Sequence, residues 1–241
     1  MSAPATIVIR DIETLAEMRE VEQLQREIWG VEDLEVYPAL ALKPQKEMGA
    51  ILIGAFAEGR LVGFVFGFPG ILNGETIIHS DMLGISAAYR SHGLGYLLKR
   101  AQREAAIKLA IDRITWTFDP LQSRNAHLNF SKLGVIADRY YVDYYGVTSS
   151  FLHRFGTDRL WVTWLLNSER VKARMEQNAS APDLIRAEDI IIEIPREITS
   201  NHEHWRITTR EAFTSAIDVG YVVEEFIVSG NTGKYVLRKK N

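Results

Sequence analysis

Tyr89-Arg90-Ser91-His92-Gly93-Leu94-Gly95-Tyr96-Leu97-Leu98 joins two segments of different periodicity. Upstream, Thr76 to Ile85 (TIIHSDMLGI) is rich in β-branched and apolar residues and reads as a strand over 76–86. Downstream, Leu94, Leu98, Ala101, Ala105 and Leu109 recur every three or four residues, one face of an amphipathic helix over 94–111. Glycine lets the backbone turn tightly and approach a ligand, so N–H groups at a helix start can converge on one anion, a pyrophosphate for example. A plain strand-to-helix turn is the competing reading. No Lys-Ser or Lys-Thr follows the glycines, which excludes a P-loop, and Leu98 stands where a dinucleotide fingerprint needs its third glycine.

Arg90-x-x-Gly93-x-Gly95 resembles the CoA-pyrophosphate loop of the GNAT superfamily of acyl-CoA N-acyltransferases. Asn125-Ala126 through Lys132-Leu133-Gly134-Val135 resembles that family's second signature, an Asn-led helix ending in Lys-Leu-Gly. Together the two are far more specific than either alone, and the resemblance covers about residues 5–167. Trp116-Thr117-Phe118-Asp119-Pro120-Leu121 further resembles a group of predicted acetyltransferases with an extra C-terminal segment. The resemblance implies an α/β (α+β) fold: a mixed, mostly antiparallel central sheet flanked by helices, with a small α+β C-terminal segment. It divides the chain into an acyltransferase domain over 1–167 and an extension over 168–241. The implied co-substrate is acetyl-CoA or another acyl-CoA, with no metal.

Composition sets the outer bounds. The 241 residues are 46% hydrophobic and 24% charged, ordinary for a soluble globular chain with a sizeable core. A net charge of −3 argues against a general nucleic-acid binder, and Arg238-Lys239-Lys240 is too short a cluster to change that. Cysteine is absent, which removes disulfides, thiolate metal sites and a cysteine nucleophile. MSAPATIVIRD has no signal-sequence pattern and no apolar run reaches membrane-spanning length, so a cytoplasmic protein without a membrane partner is expected.

Outward from the glycine loop, Thr6–Arg10 reads as a strand and Leu15, Met18, Val21, Leu24 and Ile28 as a helix ending at Trp29-Gly30. Residues 31–48, with two prolines, read as a long loop able to cover a site. Gly49–Ala57 and Leu61–Phe68 flank the hairpin signal Glu58-Gly59-Arg60. A strand over 113–118, a helix over 123–133, an alternating segment 135–145 and a strand over 158–166 complete the first unit. After a polar linker at about 176–183 come a strand near 190–194, a helix near 203–217, and strands at 221–228 and 234–238. This tail either lies over the site or extends the sheet.

Acyl transfer from a thioester to an amine needs a held thioester, a neutral amine, a stabilised oxyanion and a proton for the departing thiolate. In the resemblance, backbone N–H groups from His92 to Tyr96 (His92, Gly93, Leu94, Gly95, Tyr96, after Ser91) hold the pyrophosphate, with Arg90 adding charge. The pantetheine arm runs beside Leu83, Gly84 and Ile85, and the N–H of Ile85 polarises the thioester carbonyl. Asn125 corresponds to a CoA-contacting asparagine; an N-cap is its structural alternative. Strict alternation puts His79, Asp81, Leu83 and Ile85 on one strand face and Ser80, Met82 and Gly84 on the other. His79, six residues before Ile85, matches the general-base position of several family members, against a structural hydrogen-bonding histidine. Asp81 is the alternative, orienting His79 or binding a cationic acceptor.

The chain departs from the family at the general acid, where Phe130 replaces a tyrosine. Tyr145, in the cluster Tyr140, Tyr141, Tyr144 and Tyr145, is a substitute candidate against a packing role. Trp29, Trp116 and Trp164 read as apolar walls. Arg206 and Arg210, one helical turn apart, read either as a clamp for a carboxylate or the 3′-phosphate of CoA, or as a solvated face paired with Glu203 or Glu211. The reading that results is an N-acyltransferase acting on a small-molecule amine in a ternary complex. Its rivals are an inactive CoA-binding sensor or scaffold and a protein N-acetyltransferase; oligomeric state, a homodimer included, is left open.

Overall fold

The structure, a computed structural model, describes residues 6–90, 92–147, 150, 153–177 and 185–240. The backbone falls into two compact units that divide between Ile114 and Thr115, inside the stretch expected to form one domain.

The first unit contains β1 (Ile7–Asp11), α1 (Leu15–Trp29), α2 (Ala39–Glu47), β2 (Ile51–Ala57), β3 (Arg60–Leu72), β4 (Glu75–Ile85) and α3 (Leu94–Lys108). Its strands lie in the order β1-β2-β3-β4, each antiparallel to the next. Both tight hairpins place two consecutive residues at positive φ, Glu58-Gly59 and Asn73-Gly74, the backbone that matches strand twist. Helix α1 starts in a capping box, Thr14 accepting from the Glu17 N–H while Glu17 accepts from the Thr14 N–H, and ends on Gly30 in the left-handed region. Met18, Val21 and Leu24 on its buried face pack with Leu42, Leu52, Phe64 and Phe66 into one apolar cluster.

The loop expected over 31–48 is a correction. Pro38 is the N-cap residue of α2 and Pro44 lies inside it, so of two prolines that read as breakers one starts an ordered helix and the other sits within it. Leu42 is fully buried, and the Gln25 amide holds Tyr37 by exchanging hydrogen bonds of 2.8 and 3.0 Å with its backbone. The segment belongs to the core of this unit.

The second unit contains β5 (Arg113–Phe118) from Thr115 onward, α4 (Ser123–Ala126) running into a π-helical stretch (His127–Leu133), β6 (Ile136–Tyr141), β7 (Arg159–Leu165), α5 (Glu169–Gln177), β8 (Ile190–Pro195), α6 (His202–Asp218), β9 (Tyr221–Ser229) and β10 (Thr232–Lys239). Its strand order is β5-β7-β6-β9-β10-β8. The C-terminal segment therefore extends the sheet, β9 pairing antiparallel with β6 at Ala137↔Val223. Residues 176 and 177 of the expected linker are helical, and 178–183 lie outside the described residues.

Aromatic rings form the core of this unit. Phe130 meets Phe118 and Tyr235, and Tyr235 meets Phe213 and Phe226, with ring centroids 4.6–6.1 Å apart. Trp116 stands edge-on to Trp164, whose indole N–H donates to the Leu133 carbonyl at 2.8 Å. The Trp116–Leu121 run is where the extension attaches. The Arg206 guanidinium grips Asp119 through two bonds of 2.7 and 3.0 Å, and the Tyr235 hydroxyl donates to the Pro120 carbonyl at 2.6 Å. Arg210 binds Asp158 in the same two-pronged way and reaches Asp143. Both arginines thus clamp carboxylates of their own chain, which corrects the expected pairing with Glu203, Glu211 or a ligand anion.

Candidate active site

Strand β4 does not alternate along its whole length. Phe66 pairs with Met82 but Gly67 pairs with Ser80, leaving Asp81 without a partner in β3. Such a bulge flips the side-chain alternation on one side of it. His79 consequently lies opposite Phe68, with ring centroids 5.7 Å apart, and shares its face with Met82 and Gly84, whose partners Phe66 and Phe64 pack on α1. Leu83 and Ile85 fall on the other face with Ser80, the face that meets α3. The expected single face of His79, Asp81, Leu83 and Ile85 is therefore wrong, because one unpaired residue shifts the register by one.

The direction of the β4 main-chain groups follows from the same ladder. The Ser86 N–H donates to the Val62 carbonyl at 2.9 Å, so 62 and 86 form a bonded pair. Bonded and non-bonded pairs alternate in antiparallel ladders. The main-chain groups of Ile85 and Leu83 therefore point away from β3. The Ile85 carbonyl is taken by the Arg90 Nε–H at 3.1 Å, which ties the glycine loop back to the strand end.

After the turn Ala87–Tyr89 the chain enters α3 through Gly93, which has φ 74° and ψ 3°. A side chain at Gly93 would meet nothing within 4 Å, so its glycine serves the left-handed backbone and leaves free space around it. Among the described residues no side chain caps this helix, and the N–H groups of Leu94, Gly95 and Tyr96 precede the first intrahelical bond, Leu97 N–H to Gly93 carbonyl. His92 and Gly93 are exposed. Ser91 lies outside the described residues. The loop thus presents uncapped donors at the positive end of a 15-residue helix, as an anion requires.

Desolvation, with a contribution from the Lys99 ammonium, holds the His79 pKa below its ordinary 6.5, so the imidazole is neutral at pH 7. Asp81 is exposed at the bulge, and surrounding protein pushes its carboxyl pKa above the usual value. Sequence reasoning missed Lys99. Its Nζ donates to the Ser80 hydroxyl at 3.0 Å and to the Gln102 amide oxygen at 2.9 Å, and burial lowers its pKa well below that of a free lysine. A signal was present: Lys99, Gln102 and Ala106 keep helical spacing beside the apolar stripe, and all three are buried.

The remaining candidates belong to the second unit. Asn125 is exposed and is the third residue of α4, whose N-cap is Gln122; this removes the N-cap alternative. Phe130 is fully buried among rings. Tyr145 is exposed, stacked on His153 at 4.9 Å with the Arg159 guanidinium over its ring. Among the described residues no group of three or more His, Asp or Glu side chains is arranged to hold a metal ion.

Residues 15–134 match the family model described as the acetyltransferase (GNAT) family, a stretch holding both the Arg90–Gly95 loop and Lys132-Leu133-Gly134. Over that stretch the chain belongs to the GNAT family. The solved structures it resembles share the fold at low identity. The ribosomal-protein-S18-alanine N-acetyltransferase of Escherichia coli has a TM-score of 0.53 and 12% identity, spanning 68% of this chain and 96% of its own. Aminoglycoside 6′-acetyltransferase type Ii gives 0.54 and 16%, spanning 67% and 98%. Salmonella typhimurium yncA, solved with its cofactor acetyl-CoA, gives 0.55 and 14%, spanning 68% and 96%. No curated protein matches the sequence. This GNAT protein is thus an acetyltransferase by family, and about a third of it lies outside what those structures span.

Proposed function

We propose that this GNAT enzyme transfers an acetyl group from acetyl-CoA to the primary amine of a small molecule, such as an amino acid, by direct attack in a ternary complex. The observation that carries the reading is the uncapped start of α3 behind Gly93, at the end of a strand whose Leu83 and Ile85 main-chain groups turn away from β3. The pyrophosphate takes the N–H groups from His92 to Tyr96. The amine nitrogen attacks the thioester carbon, the C–N bond forms and the C–S bond breaks. Ile85 N–H steadies the oxyanion, and neutral His79 accepts the amine proton. The thiolate leaves with a proton from water, since Phe130 has none to give. The half-buried setting of His79 beside the Phe68 ring supports a compact amine as acceptor.

The test supplies acetyl-CoA with amine, peptide N-terminus and lysine-peptide panels and follows free thiol. Release that depends on a small amine supports the reading. Release only with peptides supports a protein N-acetyltransferase instead. One observation favours a further alternative: Phe130 is buried where the family carries a tyrosine, as in a CoA-binding sensor without turnover. Tight CoA binding by calorimetry with no thiol release from any panel would establish it.

A further inference from the structure

Ser80, Lys99 and Gln102 form a closed triangle beneath the bulge of β4. Lys99 Nζ donates to the Ser80 hydroxyl at 3.0 Å and to Gln102 Oε1 at 2.9 Å, and the Ser80 hydroxyl donates to the same oxygen at 3.0 Å. The three residues are 6%, 3% and 0% exposed. Gly67, the partner of Ser80 in β3, makes the room: a side chain there would sit 2.8 Å from Gln102 Nε2 and 2.9 Å from the His79 carbonyl.

Burying an amine, a hydroxyl and an amide together stabilises a fold little, because desolvation offsets most of what the bonds return. The best-attested use of such groups is to fix register. Register is what is at stake here. The extra residue of β4 lies immediately after Ser80, and a slip of one residue would turn Asp81 toward α3 and Ser80 toward the apolar cluster. An apolar side chain at position 99 would accept either arrangement.

We propose that Lys99, with Ser80 and Gln102, is a register lock that places the bulge of β4 at Asp81. Lys99 is then a positioning residue for the acyl-transfer site. Its bonds decide that His79 lies on the face of Met82 and Gly84, opposite the face of Leu83 and Ile85. For function, the inference rests on the acetyl transfer proposed above; as a statement about β4 it does not.

Lys99→Met, close in volume and without donors, tests it by two readouts. Amide hydrogen exchange over 79–84 is expected to speed up at least about tenfold while β2 and β3 keep their protection. In the active protein, kcat per CoA-binding molecule is expected to fall at least about tenfold, with CoA affinity changed far less. A core-filling lysine would instead change melting temperature and leave both readouts alone, and that result overturns the lock. Should Lys99→Met fail to fold, Ser80→Ala removes the same strand bond, and the same two readouts decide. If the wild type neither binds CoA nor releases thiol, the function above falls; selective loosening of 79–84 would still uphold the lock.

Discussion

His79 shows how environment selects a protonation state. Partial burial disfavours the imidazolium and nearby Lys99 adds to that, so the pKa lies below 6.5. A base must be unprotonated, so kcat/KM expressed per neutral amine is expected to stay flat above pH 7 and to fall through an acid limb with its midpoint below 6.5. His79→Gln should remove that limb and lower kcat by about 100-fold, within the usual range for one general base. An unchanged limb in that variant would assign the base elsewhere. Arg206 makes the opposite case, a residue whose chemistry invites a functional reading and whose role is internal. It is 4% exposed and spends its guanidinium on Asp119 and the Phe155 carbonyl. Arg206→Ala leaves a partly buried carboxylate without its partner, a loss expected to cost about 3–5 kcal/mol by urea denaturation. A cost below about 1 kcal/mol, the level of a surface ion pair, would mean that solvent replaces it.

At the scale of elements, strands and long helices followed from periodicity, since their apolar faces are continuous and each borders one core. Three features did not. Helix α2 was hidden by Pro38 and Pro44, because proline is a penalty in isolation and tertiary burial of Leu42 outweighs it. The bulge at Asp81 was hidden because no residue type marks it; only pairing with β3 and packing on α3 reveal it. The π-helical widening at His127–Leu133 likewise has no letter in the sequence. The glycine loop was legible, since left-handed backbone leaves few residue choices. Gly93→Ala meets no atom, so only backbone strain remains, about 1–2 kcal/mol. CoA affinity by calorimetry is expected to drop by at least about tenfold (~1.4 kcal/mol) as the helix start shifts; unchanged affinity would put the pyrophosphate elsewhere. In α1, bonds from Arg10 and from the Glu13 and Thr14 N–H groups lower the Glu17 pKa from 4.5 to about 2. A carboxyl depressed on folding stabilises above its unfolded pKa and loses that contribution as pH falls through the folded one. Thermal stability is thus expected to decline between pH 4.5 and about 2. Glu17→Gln should be less stable at pH 7 and decline less over that window.

At the scale of the whole chain, the sequence suggested a domain followed by an appendage, because similarity to the family fades after the first 167 residues. Packing divides the chain by different criteria. Phe213, Phe226 and Tyr235 from the C-terminal segment complete the ring cluster around Phe130, and Val223 pairs with Ala137 of β6. Arg206 and Arg210 neutralise Asp119 and Asp158, the latter fully buried. Burial alone would raise the Asp158 pKa, yet bonds from Arg210, the Asp143 N–H and the Tyr140 hydroxyl together hold it below the ordinary carboxylate value. Cutting the chain after Asn167 removes all three ring partners and both guanidiniums at once. Each large aromatic lost from a packed core costs about 3–5 kcal/mol, and a domain's whole stability is about 5–15 kcal/mol. The truncated chain is therefore expected to be insoluble, or to bind a hydrophobic dye and melt without a cooperative transition. The check is soluble yield, dye binding and calorimetry of 1–167 beside the full chain. A soluble fragment with one sharp transition and full CoA affinity would show that the extension is dispensable to the fold, and that its arginines only decorate a unit already complete.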